Sequence, residues 1–368
     1  MAIKLNKVEP DYATAPGETL REVIKSRGYT QADIASRLGI SAKHLSNIIN
    51  GKNNVTPEVA TKLEYVLEIS ASFWNNLTAN YETYLESKKH DDKMNNQLEW
   101  VDHFNYSELA KNNFVPKTRD KKEKLKNLLK FFRYPDIELM KSGMDNDNLL
   151  AGAFRISTKS GEIDKFALKA WIQQGDIEAE QIKTAKFSQK LALESVQELR
   201  ELIIETDPDV FIPQLQNKAS KFGVAVIFVP EVKGSRVSGL TRWLTPYPKA
   251  IIQLSLRYKT NDILWFTFFH ELAHIILHNR QPYFTLVSNY ETSKEEKVAD
   301  KWAANVLIPE VKWQGFISYG DFSESGIKTF SKNIKTHPGI VVGRLQKEGR
   351  IPYTSRLGKL KIHYAWNK

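Results

Sequence analysis

"WFTFFHELAHIILH", Trp265 to His278, holds three of the chain's eight histidines in an otherwise apolar run. A single glutamate, Glu271, stands between the first two. Two readings stand for such a stretch. It is a buried helix that happens to carry histidines, or a metal site with its own acid/base group. On a helix, His270 and His274 lie about 40° apart around the axis and one turn apart along it. Both imidazoles can then converge on one zinc ion at about 2.0–2.1 Å. Glu271 projects beside them as a base for water on that metal. His278 lies about 12 Å from His270 along a continuous helix, too far to share the ion, and is assigned a structural or supporting role.

The third ligand must come from elsewhere. In "SKEEKVADKWAANVLIP", residues 293–309, Glu296 and Asp300 are one helical turn apart. Glu296 can ligate, and Asp300 can accept the free N–H of a ligating histidine and fix its tautomer. Glu295 competes as a ligand but has no acidic residue four positions on. Val298, Trp302, Ala303 and Val306 are expected to bury the rest of that helix.

The chain has 368 residues, enough for two or three domains. Hydrophobic residues make up 41% and charged residues 26%, as in soluble globular proteins. No secretory signal pattern and no run of 18 apolar residues is present, so a cytoplasmic protein with no membrane partner is expected. Cysteine is absent, which excludes disulfides and thiolate metal sites and leaves histidine and carboxylate as ligands. The net charge of +10 invites a nucleic-acid partner. Yet residues 1–85 hold nine basic and nine acidic residues. Residues 117–133, "KTRDKKEKLKNLLKFFR", hold eight basic and two acidic. Leu125, Leu128, Leu129 and Phe132 follow helical spacing there, so the run reads as the solvated face of an amphipathic helix. A DNA-backbone contact is the lesser alternative.

Residues 17–85 read as five short helices. Leu20, Val23 and Ile24 share a face of the first. Thr30 caps the second, which ends at Gly39, and Ser41 caps the third. Thr56-Pro57 opens the fourth, and Ser70 or Ser72 the fifth. Helix, tight glycine turn, helix in "TQADIASRLGISAKHLSNIINGK" is the pattern of a helix-turn-helix. Ala35 is small where two helices pack, and Ile40, Leu45 and Ile48 face the core. Ala42, Lys43, His44, Ser46, Asn47 and Asn50 then point outward, with Ser41 at the helix start, as side chains of a length to reach base edges. Gln31 and Lys52 are placed for phosphate contacts. His44 reads first as an exposed helix residue and second as a base contact. The competing reading of the whole stretch is a helical bundle that binds protein.

Beyond residue 90 the chain is polar and helical in pattern to about 205, with loop breaks at 143–148 and 157–162. "GVAVIFVP" and "KAIIQLSL" then read as buried strands. "AIIQLSL" stands open between an edge strand that adds a substrate backbone and a plain internal strand. His337, before Pro338, reads as a turn cap or as a transition-state donor, and Arg344 as a structural ion pair.

Two resemblances follow. "PGETL", the helix-turn-helix, "IINGK", "TPEVATKL" and "FWNNLTANY" resemble the HigA-type antitoxin branch of the Cro/C1-like (XRE) DNA-binding family over roughly the first 85 residues. "GLTRWL", "IIQLSLRYKTNDILWFTFFHELAHIILH", "EEKVADKWAANVLIP" and "GIVVGRLQ" resemble the ImmA/IrrE metallopeptidases over about residues 150–350. The HExxH…ExxxD arrangement is that of the gluzincins, with His270, Glu271, His274 and Glu296 at the matching positions. The resemblance implies a multidomain chain: an all-α lambda-repressor-like helix-turn-helix domain (1–88), a helical linker (89–150) and an α+β zincin-like domain (151–368). It also implies a zinc ion, a homodimer on a palindromic double-stranded operator, and a protein partner. That partner is a cleaved repressor, the chain's own segment around 86–120, or a cognate toxin held without turnover.

Overall fold

The structure is a computed structural model that describes residues 12–147, 163–244, 249–256, 259–278, 283–286 and 294–365. The loop expected at 157–162 and the boundary drawn at 150/151 lie outside these. The chain divides into two compact units, Met1–Leu98 and Glu99–Lys368.

The first unit is helical: α1 (Pro16–Ser26), α2 (Gln31–Leu38), α3 (Ala42–Ile49), α4 (Pro57–Leu67) and α5 (Ala71–Asn95). Its punctuation is chemical. Thr30 and Asp33 form a reciprocal capping box at the start of α2. Gly39 ends α2 at φ 64°, a left-handed conformation that glycine adopts without steric cost. Ser41, Thr56 and Ser70 each accept a backbone N–H at the start of the next helix. The fifth helix corrects the expectation of short helices, because it runs for 25 residues. No glycine or proline interrupts its polar second half, so nothing stops it before Asn95. Leu20, Ile34, Leu38, Leu45, Leu63, Leu67 and Trp74 form the core.

Gly17 explains part of the "PGE" signature. A Cβ there would meet the carbonyl oxygens of Ile48 and Ile49 at 2.3 and 2.7 Å. One turn on, Arg21 Nη2 donates to Ile49 O and to Asn50 Oδ1, both at 3.1 Å. The start of α1 therefore closes the end of α3 and fixes where that helix points.

The second unit begins with α6 (Tyr106–Lys111), α7 (Lys121–Phe132) and α8 (Ile137–Asp145). The loop break expected from Gly143 begins only after Asp145, where α8 ends. The basic run forms α7, with Leu125, Leu128, Leu129 and Phe132 buried as its spacing predicts. Next come α9 (Lys165–Gln181), α10 (Gln189–Glu201), α11 (Pro208–Lys221), β1 (Val224–Phe228), β2 (Val237–Leu244), β3 (Lys249–Leu254) and α12 (Asn261–Leu277). The described chain continues with β4 (Tyr283–Leu286), α13 (Lys294–Leu307), α14 (Glu310–Tyr319), α15 (Glu324–Asn333) and α16 (Pro338–Lys347). The sheet has the order β1-β3-β2-β4; β1 and β3 are parallel, and β2 runs antiparallel to both β3 and β4.

Helices cover both faces of this sheet. Val224, Val226, Phe228, Ala250, Ile252 and Leu254 pack into one core with α11, α12 and α13. On the other face, Gln253 donates to Trp171 O of α9 at 2.6 Å. Strand β3 is internal, which removes "AIIQLSL" as an edge for strand addition. The polar residues of that stretch, Gln253 and Ser255, donate to Trp171 O and Val237 O inside the fold.

Glycine sterics yield a paired prediction. Gly17→Ala should destabilise the N-terminal unit by about 1–3 kcal/mol, since the methyl group would meet backbone rather than a movable side chain. Gly315→Ala in α14, where a Cβ meets nothing within 4 Å, should stabilise by up to about 1 kcal/mol through helix propensity. Urea unfolding of the full chain measures both; equal effects from the two would refute the packing role of Gly17.

Candidate functional sites

Helix α12 is enclosed almost all round. Trp265, Phe268, Phe269, Leu272 and Ile276 are at most 2% exposed, and so are His270, Glu271 and His274. Its start is pinned by the C-terminal segment. Asn261 Oδ1 accepts from Ile362 N at 3.1 Å, and Lys361 Nζ lies 2.6 Å from Asp262 Oδ2. Gly339 and Gly343 of "GIVVG" let α16 approach, because Cβ atoms there would strike Asn261 and Asp262.

Helix α13 lies across α12 on a face made by Ala299, Ala303 and Leu307. This brings Glu296 to the two histidines. Its Oε2 is 3.1 Å from His270 Nε2 and its Oε1 is 3.3 Å from His274 Nε2, while the two Nε2 atoms are 3.0 Å apart. Val298 departs from expectation, being 48% exposed. Once Glu296 faces α12, the positions three, four and seven residues on face it too, and Val298 falls on the far side. Glu295 is exposed.

The backs of both rings are occupied. Asp300 Oδ1 lies 2.8 Å from His270 Nδ1. The helix ends at Leu277, and His278, in extended backbone, turns its Nδ1 to 2.9 Å from His274 Nδ1. The carboxylates dominate the electrostatics. Burial works against protonation of His270, but Asp300, Glu296 and Glu271 outweigh it and raise its pKa to about 10. Burial likewise opposes ionisation of Glu296, and the two histidines overcome it and hold the carboxyl down at about 2.

Sequence reasoning missed the support of Glu271. Thr241 Oγ1, on β2, donates to Glu271 Oε2 at 2.6 Å and lies 3.1 Å from Glu271 O. The only signal was "GLTRWL", a stretch with a glycine, a threonine and an arginine that does not read as a buried strand. Arg242 is buried there because Asp176 of α9 meets its guanidinium at 2.6 Å.

His337 caps α16 by accepting from Gly339 N at 3.0 Å and contacts Asn261 at 2.8 Å, at the opposite end of α12 from His274. Arg344 pairs with Glu310 and Glu348. Both are structural.

In the first unit, Gln31, Ser41, Ala42, Lys43, Asn50 and Lys52 are exposed, and His44, Ser46 and Asn47 are half-buried. Ser41 is engaged as a cap, and His44 Nδ1 lies 3.4 Å from Asn53 Nδ2. The Asn50 amide bridges inward to Arg21 and Ser46. No helix among the described residues is long and apolar enough to cross a membrane.

The helix-turn-helix family model matches residues 20–74, and that of the IrrE N-terminal-like domain, a peptidase family, matches residues 219–317. The chain joins a helix-turn-helix domain to an IrrE-like domain. None of the curated proteins matches it. Among solved structures, the antitoxin GraA is 30% identical, with 22% of this chain and 87% of that chain covered and a TM-score of 0.21. An addiction module antidote protein of the HigA family from Coxiella burnetii is 26% identical, covering 23% and 91%, TM-score 0.21. Pseudomonas aeruginosa antitoxin HigA, solved with the higBA promoter, is 25% identical, covering 22% and 90%, TM-score 0.22.

The pKa shifts give a prediction with a sign. His270 is raised from 6.5 to about 10, so its contribution is complete below pH 6.5 and is lost as pH rises through about 10. Glu296 is lowered from 4.5 to about 2, so its contribution is complete above pH 4.5 and is lost as pH falls through about 2. In chelator-treated protein the stability difference between wild type and Glu296→Gln should therefore be largest between pH 4.5 and 6.5. Urea midpoints across pH test this; a difference flat in pH contradicts it.

Proposed function

We propose that the chain is a DNA-binding transcriptional regulator of Cro/C1 type whose IrrE-like domain is a zinc peptidase acting on a regulator protein. The observation that carries this reading is the convergence of His270, His274 and Glu296, whose ligand atoms lie within 4.8 Å of one another, next to the buried Glu271. Two imidazoles, one carboxylate and no thiolate suit zinc with a fourth position open. The spacings agree: bonds of about 2.0–2.1 Å at tetrahedral angles set ligand atoms about 3.3 Å apart. A bound zinc ion supplies Lewis acidity to a peptide carbonyl and acidifies water. With the ion bound, Glu271 would be the group placed to accept and hand on a proton beside it. Asp300 and His278 hold the ligand rings by their Nδ1 atoms, so the Nε2 atoms present their lone pairs.

A separate protein is the preferred substrate over the chain's own segment 86–120. That segment is helical through Asn95 and then packed through Val101, Phe104, Tyr106 and Leu109. Cleavage there would first require that packing to open.

A second reading is a HigA-like antitoxin or autorepressor whose IrrE-like domain binds a toxin or ligand without turnover. The enclosure of Glu271, 0% exposed, favours it. Zinc content and proteolysis separate the two. His274→Ala should lose the metal, whereas Glu271→Gln should keep one zinc per chain and lose all cleavage of a co-expressed regulator. Equal proteolysis by wild type and Glu271→Gln refutes the peptidase, and a wild type without zinc favours the binding protein.

The DNA reading rests on α3, whose exposed start carries Lys43 and whose far end is fixed by Gly17 and Arg21. With nine basic and nine acidic residues in 1–85, affinity depends on placed contacts and on pairing of two copies. Lys43→Ala should cost about 1–3 kcal/mol and relax preference at the base it reads. Asn47→Ala should cost about 1–3 kcal/mol and relax preference at single positions. Operators selected from random duplexes provide the assay; unchanged affinity and preference in both variants removes α3 as the recognition helix.

A further inference from the structure

Glu271 is wholly buried, and a buried carboxylate must be held and given room by its surroundings to act as a base. Strand β2 meets both needs with residues two apart on one face. Thr241 Oγ1 stands 2.6 Å from Oε2 and 3.1 Å from the backbone oxygen of Glu271. A hydroxyl has one proton to give. The carboxylate is the nearer and stronger acceptor, so the proton goes to Oε2. Gly239 faces the other oxygen. A Cβ there would lie 2.5 Å from Oε1 and 2.6 Å from Thr267 Cγ2.

The strand is a firm support. Thr241 is paired on both sides, opposite Ile252 of β3 and Tyr283 of β4. The β2–β4 register shifts between Val237 and Gly239, a bulge of the kind that re-aims a strand beside a site.

We propose that Thr241 and Gly239 are the positioning residues of Glu271. The Thr241 hydroxyl anchors Oε2, and the missing side chain at Gly239 makes room for Oε1. This rests on the peptidase reading above, in which Glu271 is the base. It assigns a purpose to "GLTRWL": the glycine and the threonine serve the carboxylate of the helix packed above them.

The test uses the full-length zinc-loaded protein and acetohydroxamate, which chelates zinc and passes its proton to a neighbouring carboxylate. Binding is read by calorimetry for wild type, Glu271→Gln, Thr241→Val, Thr241→Ser and the Thr241→Val/Glu271→Gln double variant, with zinc content measured for each. Thr241→Val should keep its zinc and lose about tenfold or more in acetohydroxamate affinity, the scale on which supporting hydrogen bonds at metal sites act. Thr241→Ser, which retains the hydroxyl, should restore it to within about threefold. Adding Thr241→Val to Glu271→Gln should change nothing further. A merely structural threonine would give the same loss in both backgrounds. Gly239→Ala, which displaces Oε1, should also bind the probe weakly while holding zinc. Wild-type affinity in Thr241→Val alongside a weak Glu271→Gln overturns the positioning role and leaves the peptidase reading intact. A wild type that takes up no zinc, or a Glu271→Gln variant that binds the probe like wild type, overturns both.

Discussion

Helix α12 places two imidazoles and a carboxylate inside a hydrophobic core, and most of the second unit answers that constraint. A buried polar group without a partner costs several kcal/mol, and a buried charge far more. Several polar side chains on α12 therefore recruit an element. Glu296 and Asp300 on α13 serve His270, His278 at the helix end serves His274, and Thr241 on β2 serves Glu271. At the other end, Asn261 and Asp262 recruit the C-terminal segment through Ile362 and Lys361. The helix is apolar enough to be central and polar enough to dictate what surrounds it.

The same demand explains the small residues. Ala299 and Ala303 let α13 come close enough for Glu296 to reach both Nε2 atoms. Gly239 does so for β2, and Gly339 and Gly343 for α16. Each sits where a neighbour's polar side chain needs room.

What the sequence disclosed depended on whether the deciding interaction was local. Caps at Thr30, Ser41 and Thr56, the glycine end of α2 and the amphipathic α7 are short-range, and all were legible. Glu296 could be read from helical spacing alone, because its distance to Asp300 repeats the geometry of a helix turn. Val298 was misplaced because the ion pairs of Glu296 with the two histidines fix which face of the helix is buried. Strand β2 was missed for a long-range reason. Its Arg242 looks like surface until Asp176, 66 residues earlier, comes up against it. The internal position of β3 was equally invisible, because strand order is a property of pairing and not of the strand.

Strand β2 also shows how charge sets register. Successive side chains alternate between faces, so Thr241 meets Glu271 on α12 while Arg242 meets Asp176 on α9. A slip of one residue would exchange them. The guanidinium would then leave Asp176, which would face a threonine instead. An all-apolar strand would tolerate that slip more readily, since both of its faces would remain hydrophobic. Here the Arg242–Asp176 ion pair on one face and the Thr241–Glu271 hydrogen bond on the other both oppose it. The pairing that sets Thr241 against Glu271 is therefore enforced from the opposite face of the sheet.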